Sequence, residues 1–368
     1  MKNSEPERLA RGLDLSNPAF VFAFVWLLAL VLTTLRWTTQ LIGIPQSLRW
    51  LILGNIATIT LWYIGFSALN SGFQRRLSGL PTAAELHQLE GFARVVGWFA
   101  IAGSLFEVIV GRGVPLQWLL VGDTTRDYRD FGIPTFHGLV TSAYMFYTTT
   151  RIVLFAATGR RMAIWHGVLL LAWPLVIINR AGFVWTLFQM AGAYLIVRRV
   201  TTRAILVLVA TAASAIMVFG LVGDARVGVG RVFIDSIISS DAPEVLKIIP
   251  SGFIWAYVYI TSSVNNLAAG IGQYEPLWVP YFSTKALFPS IIGGALFNVG
   301  ARKYSLGLVN EALNTSSAYA GLISDFGVFG AGIATALLQL VAVWLYFRAK
   351  SGEVWAILGF AIAFEAMA

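Results

Sequence analysis

The stretch Pro18-Ala-Phe-Val-Phe-Ala-Phe-Val-Trp-Leu-Leu-Ala-Leu-Val-Leu-Thr-Thr-Leu35 contains no charged side chain. A helix needs about 20 apolar residues to cross roughly 30 Å of hydrocarbon, so this segment reads as a membrane span. A charged leader of 17 residues precedes it, and no small-residue cleavage site followed by a soluble domain comes after it, which argues against a signal peptide. Eight further apolar stretches occur at 50–69, 92–110, 133–158, 162–178, 181–197, 204–222, 318–347 and 354–368. The last is still apolar at Ala368, so nine transmembrane helices is a minimum and the final span reads as truncated.

Composition points the same way. The 368 residues are 57% hydrophobic and only 12% charged, with 13 Trp and 25 Phe, whereas a soluble chain carries roughly 25% charge. That leaves too little polar surface to cover a water-facing body, so lipid is the solvent for most of the chain. The expected fold class is an all-α polytopic membrane protein. The lack of cysteine excludes thiol catalysis, thiolate metal sites and disulfides, and His87, His137 and His166 are too scattered for a metal cluster. Neither metal nor cofactor is expected. A net charge of +8, which in a soluble chain would suggest nucleic acid, reads here as topology, and no nucleic-acid partner is expected.

With the N-terminus in the cytoplasm, twelve Lys and Arg fall in the leader and cytoplasmic loops and six in the short outer loops. This two-to-one bias is the positive-inside pattern. Arg94 and Arg151 fall near cytoplasmic helix ends, where long side chains snorkel to the interface. The chain then divides into an N-terminal membrane bundle (1–222, about seven spans), a large outer loop (223–317) and C-terminal spans (318–368). Connections in compact proteins are usually about 4 to 6 residues, so the large loop is functional or disordered. Its many aromatic residues exclude disorder by composition. Its two apolar stretches, 248–271 and 286–299, read as interfacial or re-entrant helices. Neither internal repeats nor the inverted symmetry of many transporters is apparent.

The polar chemistry gathers on the outer side. Arg180, in Ile177-Ile-Asn-Arg-Ala-Gly-Phe183, lies at the start of an apolar helix, where free amides and the helix dipole already favour an anion. It makes either a phosphate site or a simple interfacial marker. Gly223-Asp-Ala-Arg-Val-Gly-Val-Gly-Arg231 sets Arg226 and Arg231 beside glycines, which suits bidentate contact with a pyrophosphate or merely a flexible charged exit loop. If helical, the loop segment after Trp255 puts Tyr257, Thr261 and Asn265 on one polar face beside Tyr259 and Asn266. Rings with amide and hydroxyl partners serve sugar recognition, though an interfacial amphipathic helix looks similar. His137 at the head of a span is either a proton acceptor or an interfacial His. Asp325 lies inside a span, where an acid is costly unless paired, and Arg302 and Lys303 are its nearest basic neighbours in sequence.

Tyr259-Ile-Thr-Ser-Ser-Val-Asn-Asn-Leu267, Tyr319-Ala-Gly-Leu-Ile-Ser-Asp-Phe-Gly-Val-Phe-Gly330, Phe131-Gly-Ile-Pro-Thr-Phe-His-Gly138 and the hairpin at Arg180 resemble the oligosaccharide repeat-unit polymerases of O-antigen type, the Wzy group. The layout is similar over most of the chain; the motifs cover about a tenth of it. The resemblance implies a GT-C-like fold in the bacterial inner membrane and a metal-independent, inverting glycosyltransferase acting at the periplasmic face. Its substrates would be undecaprenyl-pyrophosphate-linked oligosaccharides, as donor and as acceptor, and a chain-length regulator is the partner the family implies. Arg180 carries over as a pyrophosphate contact; Arg226, Arg231 and Arg302 match less surely. An O-antigen ligase-type enzyme shares this layout, and a flippase or other transporter is the rival from another class. The residues themselves suit the chemistry, since a pyrophosphate ester brings an activated leaving group and leaves the protein to position a hydroxyl and stabilise charge. For the base, Asp325, Asp235, Glu311 and His137 stay open.

Overall fold

A computed structural model describes residues 14–69, 80–123, 125–126, 130–198, 201–227, 231–273, 275–284, 306, 308–309, 313, 315 and 317–367. Among these the chain is helical, without strands, and an isolated antiparallel bridge joins Thr38 to Ile238. Each of the nine apolar stretches is helical. Helix α1 (Pro18–Thr34) starts at Asn17, whose side chain accepts from the Ala19 and Phe20 amides with Pro18 at the first helical position, a sound N-terminal signal. Helix α2 is Gln46–Leu69. Helix α3 (Ala83–Gly111) begins nine residues before the apolar stretch at 92, because Thr82 and Glu85 form a capping box that starts it in polar sequence. After α4 (Pro115–Leu120), helix α5 is Phe136–Thr158.

The stretch at 162–178 is not one helix. It divides into α6 (Arg161–Leu171) and α7 (Trp173–Val176), with Pro174 at the break. Eleven residues rise about 16 Å, too little to cross hydrocarbon alone. Then follow α8 (Arg180–Val197), α9 (Thr202–Val227), the short α10 (Val232–Ile237), a 3-10 turn at Glu244–Lys247, α11 (Ser251–Gly270) and α12 (Tyr281–Thr284). Helices α13 (Ala318–Lys350) and α14 (Val354–Met367) close the chain, α13 bending at Gly327, whose φ of 68° suits glycine. Helices α2, α3 and α13 are long and apolar enough to cross a membrane; α1, 181–197, 205–218 and α14 are shorter apolar helices.

The ends of these helices sort into two sets. At one end Lys350 pairs with Asp14 at 3.0 Å, and the Tyr346 hydroxyl donates to the same carboxylate at 2.6 Å. Phe92, near the start of α3, packs on Trp355 at the start of α14. The beginnings of α1 and α14, the N-terminal part of α3 and the end of α13 therefore lie together at one end of the bundle. At the other end the bridge from Thr38 to Ile238 ties the α1–α2 connection to the outer segment.

The 248–271 stretch, expected as an interfacial or re-entrant helix, is the buried helix α11, packed on α9 and α1. Gly220 of α9 and Gly252 of α11 bring the two backbones together: a Cβ on Gly220 would sit 2.3 Å from the Gly252 Cα. Asp224 locks the crossing, accepting from the Ser251 hydroxyl at 2.6 Å and the Trp255 indole at 2.7 Å. The second stretch, 286–299, lies outside the described residues. Arg151 does not snorkel: it is buried, its guanidinium 4.8 Å from the centre of the Tyr147 ring.

Helix α3 shows how the bundle is inverted relative to a soluble protein. Trp98 and Ile109 are exposed, whereas Ala93, Gly97, Ala100, Gly103 and Glu107 face inward. Small residues at helical spacing let α5 approach closely, as membrane helices commonly require. A Cβ on Gly97 or on Gly103 would lie 2.5 Å from Tyr147 or Val140 respectively.

Two outcomes follow. Gly103→Val should destabilise the protein by about 1–3 kcal/mol, because buried, β-branched Val140 has little freedom to move aside; an unchanged melting temperature would contradict the close α3–α5 contact. Burial alone would raise the Asp14 carboxyl, but the Lys350 ammonium and hydrogen bonds from Ser16, Tyr346 and Lys350 hold it below its ordinary 3.8. A lowered folded value contributes stability above 3.8 that fades as pH falls through it. Asp14→Asn should therefore melt lower than wild type at neutral pH, and the gap should close in acid; a gap independent of pH would rule the ion pair out as its cause.

Candidate functional site

The small-residue face of α3 ends at Glu107, and the partner helix α5 begins one residue before His137. The imidazole Nδ1 lies 3.1 and 3.0 Å from the two Glu107 carboxylate oxygens, and the Ile133 amide donates to the same group at 3.3 Å. The Glu107 side chain is fully buried, while that of His137 keeps 28% exposure. With Glu107 ionised and the imidazole neutral, Nδ1 donates to the carboxylate and Nε2 is left as the acceptor. Gly132 is needed for this arrangement: its φ is +93°, and a Cβ there would stand 2.6 Å from the His137 ring.

Aromatic packing joins this couple to the start of α8. Phe131 meets His137 edge-on at 5.9 Å and Trp173 of α7 at 6.4 Å. Trp118, Phe131 and Ile177 form one buried cluster, and Arg126 covers it, lying over Trp118 and donating to the Gly111 and Arg112 carbonyls. Two residues after Ile177, the Asn179 side chain caps α8 by accepting from the Gly182 amide at 2.8 Å. Arg180 is the first residue of α8, at the helix start where the sequence places it; its side chain lies outside the described residues. A carboxylate-held imidazole and the start of α8 are thus linked through the packing of Phe131 on His137, Trp173 and Ile177.

The other expected site residues stand differently. Asp325 is fully buried. It accepts from the Phe282 amide at 2.9 Å and from the Ser283 amide and hydroxyl at 2.7 and 2.6 Å. It is therefore a saturated cap on α12, not a poised base, and the reason is local: α12 presents free amides to it. Arg302, Lys303 and Glu311 lie outside the described residues. The Arg226 side chain also does, although its backbone ends α9. Arg231 holds the outer segment together, with Nε on Asp235 at 3.0 Å, Nη1 on the Ile249 carbonyl at 2.6 Å and Nη2 on the Leu246 carbonyl at 2.5 Å. A pyrophosphate would have to displace these partners, and the same contact engages Asp235.

The expected sugar face is turned to the protein's own backbone, a correction to the sequence reading. Tyr257, Thr261, Asn265 and Asn266 are all buried. The Tyr257 hydroxyl accepts from the Trp37 amide at 3.0 Å. Asn265 accepts from the Ile42 amide and donates to the Gln40 carbonyl, both at 2.8 Å. Asn266 donates to the Leu313 and Thr315 carbonyls and accepts from the Val309 amide. Thr261 bonds back to the Tyr257 carbonyl at 2.8 Å. The face at Tyr257, Thr261 and Asn265 exists as the spacing predicts, but irregular segments with unpaired backbone groups claim it first. Tyr259 is half-buried and lies 5.9 Å from Trp255.

Glu107 was not singled out from the sequence, yet its signal is present: it is the one acid in the apolar stretch 92–110, and intramembrane acids mark function by default. Among the described residues no group of three or more His, Cys, Asp or Glu converges on a metal position. The chain matches no family model, no curated protein and no solved structure. What the fold and site define is thus a class only: an all-helical protein with helices able to cross a membrane.

Removing a buried amide that satisfies backbone groups costs about 1–3 kcal/mol for each group left unpaired. Asn266→Ala should accordingly lower the melting temperature of the ligand-free protein. A variant that melts like wild type but loses sugar binding would restore the recognition role.

Proposed function

We propose that the protein is a nine-span, GT-C-like membrane glycosyltransferase, a polymerase of lipid-pyrophosphate-linked oligosaccharide repeat units, oriented with the His137 end toward the periplasm of a bacterial inner membrane. The observation that carries this reading is the imidazole of His137, fixed through Nδ1 by buried Glu107 and linked through the packing of Phe131 to the start of α8 at Arg180.

An inverting transfer needs two things from the protein. The acceptor hydroxyl loses its proton to His137 Nε2 as its oxygen attacks the anomeric carbon. The bond from that carbon to the phosphate oxygen breaks, and the departing lipid pyrophosphate keeps the electron pair. Arg180 and the free amides of the α8 start stabilise that charge. Glu107 stabilises the imidazolium that forms. Arg226 and Arg302 are further candidates for the pyrophosphate, and Arg231 and the amides of α11 shape the outer segment around it.

Purified protein supplied with lipid-linked repeat units alone should form a polymer ladder. General-base loss typically costs about 10²- to 10⁴-fold, so His137→Ala should reduce polymer formation by that order at normal protein levels. Arg180→Ala should do likewise, and Arg180→Lys should restore little if a bidentate fork is required. Transfer of finished polymer without chain growth would indicate a ligase instead, and wild-type ladders from both variants would remove the assigned roles.

A further inference from the structure

Arg151 sits on the sixteenth residue of α5, about 22 Å below the helix start at 1.5 Å per residue. It is 9% exposed, and its Nε has no hydrogen-bond partner. Its guanidinium lies over the Tyr147 ring at 4.8 Å, a contact weaker than the cost of burying an unpaired charge. The cation therefore lacks an adequate internal partner.

Four of the described acids inside the bundle are engaged elsewhere, and half-buried Glu90 of α3 makes no ion pair with Arg151 within 4.0 Å. Glu107 holds His137, Asp325 caps α12, and Asp224 binds Ser251 and Trp255. Glu365 of α14 faces the Gln189 amide, whose oxygen accepts from Thr149 at 3.1 Å. Thr149 and Arg151 are two residues apart, about 200° around the helix, so that chain of contacts runs along the opposite face. Helix α6, beside Arg151 at Gly167, contributes no acid.

A second orphan shares the Arg151 face. Tyr144 is 2% exposed, lies beside Thr148 and Thr186, and its hydroxyl has no partner in hydrogen-bonding geometry. His137, Thr141, Tyr144, Thr148 and Arg151 recur at helical spacing and form one polar stripe on α5. Buried unpaired polar groups call for an explanation, and two on one stripe, one of them charged, point to a missing anion. A guanidinium fork with a hydroxyl seven residues, about two turns, before it on the same face suits an acceptor with several oxygens.

We propose that Arg151 and Tyr144 form an intramembrane phosphate site on the face of α5 that His137 heads. The phosphate oxygens take the guanidinium hydrogens and the Tyr144 hydroxyl, and Thr148 and Thr186 flank them. The phosphate belongs either to a polyprenyl lipid or to free phosphate; both have the chemistry the site requires. This assignment does not depend on glycosyl transfer.

The test uses the full chain in phosphatidylcholine nanodiscs, followed by phosphorus NMR and thermal unfolding. One arm adds inorganic phosphate, the other incorporates polyprenyl phosphate, and no sugar acceptor is present, so failure here is separate from failure of catalysis. The expected result is a shifted phosphorus signal and a raised melting temperature in at least one arm, and the responding arm identifies the source. Arg151→Gln should weaken binding at least tenfold, and Tyr144→Phe, which keeps its shape, about threefold. Without ligand, Arg151→Gln should melt no lower than wild type, because it removes an uncompensated charge. Absence of binding in both arms, equal affinity in both variants, or equal stabilisation by chloride would overturn the site.

Discussion

A carboxylate buried between two packed helices constrains everything around it. Glu107 has no water to solvate it, so its charge is tolerable only with His137 and the Ile133 amide on it. That contact requires α5 to lie against α3, and the approach exists because Gly97 and Gly103 offer no side chain to Tyr147 and Val140. The connection after α4 must then turn sharply at Gly132, which sets Phe131 against Trp173 and so fixes where α8 begins. Close packing of two helices thus bears, through Phe131 and Trp173, on where α8 begins.

The outer segment obeys a different constraint. Irregular backbone near a membrane needs partners for its amides and carbonyls, and lipid supplies none. Helix α11 supplies them: its Asn265, Asn266 and Tyr257 hold the backbone of Trp37, Gln40 and Ile42 and of Val309, Leu313 and Thr315. Arg231 does the same for two carbonyls of the turn before α11. Residue types that look like ligand-binding groups are therefore also those that a polar scaffold in lipid must use. Only groups left over after the backbone is satisfied remain for chemistry, and His137 Nε2 and Arg151 are among them.

This explains what the sequence made legible. Apolar runs marked where helices form, because lipid burial selects residues almost by transfer free energy alone. The Lys350–Asp14 pair and the Phe92–Trp355 contact bring together segments that the positions of arginine and lysine assign to one side. Helix length was less legible: the capping box at Thr82 extended α3, and Pro174 divided the stretch at 162–178. Tertiary pairing was least legible. Asp325 and Asn265 carry the same local signal whether they face a ligand or a backbone amide, and the separation of thirty positions from Glu107 to His137 hides a contact that only the α3–α5 hairpin creates. Arg151 was misplaced for a related reason, since its distance from the helix end says nothing of which way its side chain points.

The central claim is that Glu107 fixes the imidazole of His137 so that Nε2 is free. With three histidines in the chain, nitrogen NMR of histidine-labelled protein resolves the question directly. The account predicts that neutral His137 carries its proton on Nδ1, and that Glu107→Gln releases it to the mixture of tautomers found in water. A proton on Nε2 in the wild type, or a spectrum unmoved by Glu107→Gln, would contradict it.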